Sequence, residues 1–436
     1  MNGLPFSLGR NAVVRSVGLL SVSAAAKALA SIAFVVLALR ALGPSEGGQV
    51  ILVFSIVRIA QAAVEGGLSR YLTREVARNP GATGAYALSS IKLIFLLAAP
   101  AGLLAASGAA AAEPLLGAAI ALGSMAVVFG SVQQALSGVF LARDRTGYDS
   151  LASITLATAQ VSGAVAAATM FDSPLAFIAV IAGARLAGAG VAGASFIVGL
   201  RPEVTGRQVS AAKTLAESLP YLLNALGSYA YLRVDILILA AIAGTQAVAI
   251  YGGVADPLVT LGAAAHVLNA AFLPKLADSF GVDRPRFQRL GRNMITANLV
   301  AGAAIAAVVF VGAGEFVGRL LGADLAAATD VLRVLSVVIV LRFLNNAMAT
   351  WLTADGRQWH RSALILGAAA LNICLNLITV PMWGYWGPVW STLATEASLL
   401  VLFSWLLRSE IAMAFGWRRL EPERVAGAKG SHVAAD

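Results

Sequence analysis

Charge is scarce in this chain, and so are the residues on which redox and metal chemistry depend. Of 436 residues only 12% are charged, one is cysteine and three are histidine. The single cysteine, Cys374, lies in an apolar run and excludes an intramolecular disulfide. There is no Cys-x-x-Cys pair and no pair of histidines at metal-ligand spacing, so the sequence implies no metal and no cofactor. The absence of a Gly-x4-Gly-Lys-Ser/Thr stretch leaves the chain without a phosphate loop for ATP. Soluble domains carry about 25% charged residues, roughly twice the fraction present here. What fills the space is apolar: 59% of the residues are hydrophobic and the mean hydropathy is +0.81. That composition belongs to a polytopic membrane protein. A net charge of +9 would suggest nucleic acid in a soluble chain, but topology accounts for it here and no nucleic-acid partner is expected.

A crossing helix needs about 20 apolar residues. Windows of that kind fall at 14–39, 47–66, 83–107, 114–141, 149–171, 174–200, 216–243, 246–274, 290–313, 327–353, 359–382 and 387–409. The first window has no convincing cleavage site and reads as a retained helix rather than a signal peptide. Of the 31 Lys and Arg residues, 22 fall in the connections on the side of the N-terminus. Two, Arg40 and Arg319, fall on the other side, and seven lie at membrane depth, Arg15, Arg292, Arg361 and Arg408 at window ends being counted with the connections beside them. The positive-inside rule then puts both termini in the cytoplasm, with a bacterial inner membrane as the expected site. Connections on the opposite side are too short to form a catalytic domain.

The polar segment 201–214 divides the windows six and six. Shifting the chain by 201 residues lays Gly43 on Gly244, and shifting by 212 lays Gln133 on Asn345, Ala142 on Ala354 and Arg145 on Arg357. The expected architecture is therefore an all-α membrane protein of about 12 transmembrane helices. They form two six-helix lobes, a parallel pseudo-repeat, around a central cleft. The N-lobe is 1–200, the linker 201–214, the C-lobe 215–409 and a cytoplasmic tail 410–436. Repeats of this kind hold substrate where the halves meet.

The seven interior cations are Lys27, Arg58, Lys92, Arg185, Arg233, Arg333 and Arg342. A central Lys or Arg costs roughly 2.5–3.5 kcal/mol on insertion scales, so each marks a candidate site. Together they suggest a wet cationic cavity for an acidic or phosphorylated solute. Lys27, Arg58, Arg233 and Arg342 are the candidate ligands for the anionic head group, since arginine can grip two phosphate oxygens at once. Asp235, Asp256 and Glu396 are candidates for coupling to a cation. A bland reading stands beside each: an ion pair between neighbouring helices for Arg233, Asp235 and Asp256, a local pair with Asp330 for Arg333, and structural roles for Lys92 and Arg185. His266 is a weaker candidate pH sensor. Asn372 and Asn376 share a helix face and suit interhelical hydrogen bonding. Trp351, Trp359, Trp383, Trp386 and Trp390 suit the interfacial belts.

Three segments together resemble one family. They are Arg40-Ala-Leu-Gly-Pro-Ser-Glu-Gly-Gly48 with Gly66-Gly-Leu68 and Thr73-Arg-Glu-Val-Ala77, then Tyr231-Leu-Arg-Val-Asp235 with Gly244, Tyr251 and Phe272-Leu-Pro-Lys275. The third is Ala354-Asp-Gly-Arg357 with Leu371-Asn-Ile-Cys-Leu-Asn376, Pro381, Gly384, Gly387 and Thr395-Glu396. This ordered set resembles the polysaccharide and oligosaccharide-lipid flippases of the multidrug/oligosaccharidyl-lipid/polysaccharide exporter superfamily. Pro388 departs from the family's usual alanine after the glycine. The resemblance implies a V-shaped, hydrated cleft that opens alternately to each side. It implies as substrate a glycan on a polyprenyl (pyro)phosphate, carried from the cytoplasmic to the outer leaflet for surface polysaccharide such as lipopolysaccharide or exopolysaccharide. Expected partners are that lipid-linked glycan, membrane lipids and polysaccharide polymerase or assembly proteins. Two alternatives remain: a cation-coupled multidrug exporter of the same fold, which needs an acidic cavity, and a membrane glycosyltransferase or polymerase. No catalytic constellation supports the second, and the chain is expected not to be an enzyme.

Overall fold

The structure is a computed structural model that describes residues 10–112, 114–201, 209–262 and 264–415. Most of the expected linker (202–208) and of the expected tail (416–436) lies outside the described residues. Among the described residues every regular element is helical. The first half comprises α1 (Arg10–Glu65), α2 (Leu68–Arg78), α3 (Thr83–Ala112), α4 (Pro114–Ala142), α5 (Thr146–Met170) and α6 (Pro174–Ala194). The second begins with α7 (Ala211–Gly262) and the short α8 (Ala264–Ala270) and α9 (Leu273–Ser279). It continues through α10 (Arg284–Phe316), α11 (Ala328–Ala354), α12 (Gln358–Trp383), α13 (Trp386–Leu406) and α14 (Arg408–Ala414).

Ten of these helices are long and apolar enough to cross a membrane, against twelve sequence windows. The difference lies in α1 and α7, each of which holds two windows and doubles back on itself. Gly43 breaks α1 with φ 72° and ψ −177°. That backbone carries no Cβ penalty only in glycine, and Pro44 behind it cannot donate to the preceding turn. Arg58 Nη2 donates to Ser31 Oγ at 3.2 Å across 27 residues, a span that would measure about 40 Å along an unbroken helix. In α7 the break is Gly244, φ 81° and ψ 177°. There Arg233 reaches Asp256 across 23 residues, and Tyr251 reaches Asp235 across 16. Both long helices are hairpins. The eighth window is followed by the short α9, with Pro274 in its first turn.

The two breaks fall on the pair of glycines that the 201-residue shift superposes. The 212-residue shift superposes another shared turn. Arg145 N bonds Phe140 O at 2.8 Å, and Arg357 N bonds Leu352 O at 2.9 Å. Asp144 and Gly356, both at positive φ (53° and 74°), form the reversal in each half. Arg145 and Arg357 then cap α5 and α12. Duplication is thus visible in backbone conformation where the side chains have diverged.

In lipid, helices associate by close packing of small residues rather than by the hydrophobic effect. The halves meet chiefly along the α1 and α7 hairpins. At the tips, a Cβ on Gly48 would run into the backbone carbonyl of Thr245, and Arg40 donates to the carbonyl of Arg319. At the opposite end, where the basic connections lie, Gly67 abuts Tyr221 and Ser89 Oγ lies 2.7 Å from Thr214 Oγ1. Arg74 approaches Glu217 at 3.9 Å. Inside the first half, Phe34 packs on Phe54 and Phe177 with ring centroids 5.4 and 5.9 Å apart, tying both arms of α1 to α6.

One expectation about tryptophan is corrected. Trp351 is fully buried, edge-on to Phe287 at 6.0 Å and pressed on Gly291. A connection folded over the end of α11 makes a small core there, with Leu276, Phe287 and Leu407 around the indole. Trp359, Trp383 and Trp390 are exposed, as belt residues are.

Candidate functional site

Three groups of charged side chains lie within the membrane-spanning helices. The first belongs to α1, α4, α5 and α6. The α1 hairpin brings its two arms together, so Arg58 on the returning arm reaches Ser31 on the outgoing one and stacks 4.6 Å over the Phe54 ring. Arg185 on α6 donates to Gln61, one turn beyond Arg58. A Cβ on Gly130 of α4 would strike both partners, so that helix passes directly behind them. Lys27 stands within electrostatic reach of Arg58, Arg185 and Asp149 of α5. Among the described residues no carboxylate lies within ion-pairing distance of its ammonium group. Lys27, Arg58 and Arg185 thus share this region with the buried Asp149 among the described residues. Arg185, expected to be structural, sits in the same cluster as Lys27 and Arg58. Gln61, which positions it, drew no attention in the sequence because glutamine carries no charge.

The second group lies in the α7 hairpin. Arg233 and Asp256 form an ion pair, and their side chains are 3% and 4% exposed. Asp235, two residues beyond Arg233, accepts from the Tyr251 hydroxyl and, at 2.8 Å, from the backbone N–H of Ile236. Thr392 of α13 completes this group, 3.5 Å from the same hydroxyl. Arg233 therefore serves its helix partner in this conformation, as the bland reading holds, and Asp235 is the carboxylate left to hydrogen-bond donors.

The third group surrounds a cavity of about 280 Å³ in the second half, walled by α7, α8, α11, α12 and α13. Arg342 Nε donates to Glu396 Oε1 at 2.7 Å, and Asn345 Nδ2 donates to Glu396 Oε2 at 2.8 Å. Facing them are His266 and Arg361, with Leu232, Val259 and Phe403 as apolar wall. A smaller void lined by Asp235, Asp256 and Thr392 shares Leu232, Val259 and Arg342 with this cavity, so the second and third groups are neighbours. Arg361 was missed in the sequence because it counts among the basic connection residues. It lies one turn inside α12, and that register was the only available signal.

The other interior cations stand apart. Lys92 is exposed on α3, and Arg333 pairs with Asp330 at 3.2 Å on an exposed face. Asn376 bonds Asn372 within α12, and Asn372 Nδ2 reaches Thr395 Oγ1 of α13 at 3.3 Å. Among the described residues no cluster of three His, Cys, Asp or Glu side chains is placed to hold a metal ion.

Two helical halves joined along glycine-broken hairpins, with ten helices long and apolar enough to cross a membrane, have the fold of transporters of the multidrug/oligosaccharidyl-lipid/polysaccharide (MOP) superfamily. Among solved structures with this fold are the lipid II flippase MurJ in an inward closed conformation (TM-score 0.74, 12% identity, 91% of this chain and 89% of that one). An inward-facing MATE-family multidrug resistance transporter also matches (TM-score 0.67, 16% identity, 89% and 96%). So does a MOP superfamily transporter from Pyrococcus furiosus, described as having a binding pocket of reverse polarity (TM-score 0.63, 14% identity, 92% and 96%). No curated protein sequence matches the chain. The chain belongs to the polysaccharide biosynthesis protein family, whose model matches residues 13–280.

Proposed function

We propose that this protein flips a polyprenyl-(pyro)phosphate-linked oligosaccharide from the cytoplasmic to the outer leaflet of a bacterial cell membrane, by alternating access, for surface polysaccharide synthesis. Both termini and the basic connections face the cytoplasm in this reading. The observation that carries it is the first-half cluster, in which Lys27, Arg58 and Arg185 outnumber Asp149. Cations gathered at membrane depth favour an anionic ligand, and a pyrophosphate accepts charge-assisted hydrogen bonds, which arginine donates in pairs. Membership of a polysaccharide biosynthesis family supplies the glycan. The fold shared with the lipid II flippase MurJ is compatible with a lipid-linked cargo.

On the second-half side, Arg342 is the anion ligand and Arg233 the structural partner of Asp256. Of the three acidic candidates for ion coupling, Asp256 and Glu396 are held by arginines, which leaves the coupling role to Asp235. Multidrug export is the second reading, raised by the MATE-like fold; a cationic drug would meet repulsion in the first-half cluster.

The test uses proteoliposomes and a fluorescent sugar on a polyprenyl pyrophosphate. Arg58→Ala is expected to abolish flipping while the protein inserts normally. Arg58→Lys should restore part of the rate, because charge returns without the two-pronged geometry. Undiminished flipping by Arg58→Ala, or transport of a cationic dye instead, overturns the proposal.

A further inference from the structure

The second-half cavity already contains an anion of its own. Glu396 is only 2% exposed, and it is locked to Arg342 on one oxygen and to Asn345 on the other. Opposite it, Arg361 keeps a buried Nε that meets no partner among the described residues, and His266 lies within electrostatic reach of Arg361. Arg70, on α2 of the other half, adds positive charge toward Arg361. Arg342 and its partner Glu396 thus line a cavity that Arg361 also lines. A diphosphate entering that cavity brings about two further negative charges beside Glu396, and the two anions would then compete for Arg342.

We infer that Glu396 is a resident counter-ion: it occupies Arg342 while the cavity is empty, yields Arg342 to the incoming diphosphate, and returns to expel it. This rests on the anionic-substrate reading above. The geometry suits exchange rather than permanent pairing. Arg342 lines the open cavity and retains 15% exposure, unlike the sealed Arg233–Asp256 pair. Arg361 supplies the second cationic contact that a diphosphate needs. A transport site has to bind strongly enough to load and weakly enough to unload, and a tethered competitor weakens binding without removing the cation. It also satisfies a buried arginine between cycles, when an unpaired charge would destabilise the helix packing.

The test measures farnesyl diphosphate binding to the purified full-length protein by titration calorimetry. Glu396→Gln is expected to tighten binding about tenfold, because the amide removes a full negative charge from contact distance. Arg342→Gln should weaken binding. In the Arg342→Gln background, Glu396→Gln should give no gain, since the competition runs through that guanidinium. Flipping by Glu396→Gln should slow although affinity rises, because release loses its competitor. If Glu396→Gln fails to accumulate, Asn345→Ala replaces it: loosening the carboxylate without removing it should tighten binding severalfold. Wild-type binding with no tightening in these variants overturns the inference alone, as does equal tightening with and without Arg342. A wild-type protein that binds no farnesyl diphosphate overturns the anionic-substrate reading itself.

Discussion

Replacing Gly48 with alanine should hold the hairpin tips apart. Gly48 lies in helical backbone on the returning arm of α1, so alanine there would ordinarily favour the helix by about 1 kcal/mol. Here a Cβ runs into the carbonyl carbon and oxygen of Thr245, on the tip of α7. Backbone cannot swing aside as a rotamer does, which places the clash in the upper part of the roughly 1–3 kcal/mol typical of overpacking. The helix gain is common to the states with the tips together and parted and cancels between them, leaving about 2–3 kcal/mol against the state with the tips together. A conformation with the tips parted escapes the clash, so its relative population should rise by a factor of about 30–150. The assay places a cysteine at Leu232 in the cavity wall, with Cys374→Ser as background. Its labelling by an impermeant maleimide is then followed from the face opposite the basic connections. Gly183→Ala on α6 is the control, because an added Cβ there meets nothing within 4 Å. Labelling at the control rate in Gly48→Ala would refute the claim that tip contact closes this face.

At the other end, Thr214→Val removes the buried hydroxyl contact with Ser89. Such a bond is worth about 0.6 kcal/mol between membrane helices, so labelling of the same cysteine from the basic face should rise two- to threefold. Trp351→Ala should cost about 3–5 kcal/mol, read as a fall in melting temperature by intrinsic fluorescence; a loss as small as that of exposed Trp359→Ala would show that this small core contributes little.

Much of the fold was legible because the bilayer imposes a length and a polarity on each helix. The windows marked the long apolar helices, and the offsets of 201 and 212 marked the two reversals that recur in the backbone. Hidden from a linear reading was which arm meets which. Ser31 and Arg58, or Arg233 and Asp256, become neighbours only because glycines at 43 and 244 fold each long helix upon itself. Trp351 was misread for a related reason. Its position near a helix end suits a belt residue until α9, the start of α10 and α14 close over it. Composition cannot distinguish lipid headgroups from a covering layer of short helices.

The cations sort by environment rather than by number. Arg233 shares a hairpin with Asp256 and is sealed with it, so its charge is settled within the fold. Arg342 meets its carboxylate on a neighbouring helix beside an open cavity, so in the proposed cycle its charge is settled only until another anion arrives. Lys27, Arg58 and Arg185 gather with Asp149 in a region where positive charge outnumbers negative. In the proposed cycle those three conditions correspond to three roles: a sealed structural pair, a pair that exchanges, and a cationic group that attracts an external anion. The duplicated backbone therefore carries an asymmetric charge pattern, with the surplus in the first half and the exchangeable pair in the second. In the proposed cycle a diphosphate drawn to the first group would meet a competitor at the second, so that the two halves would take separate tasks: attraction of the head group in one and its release in the other.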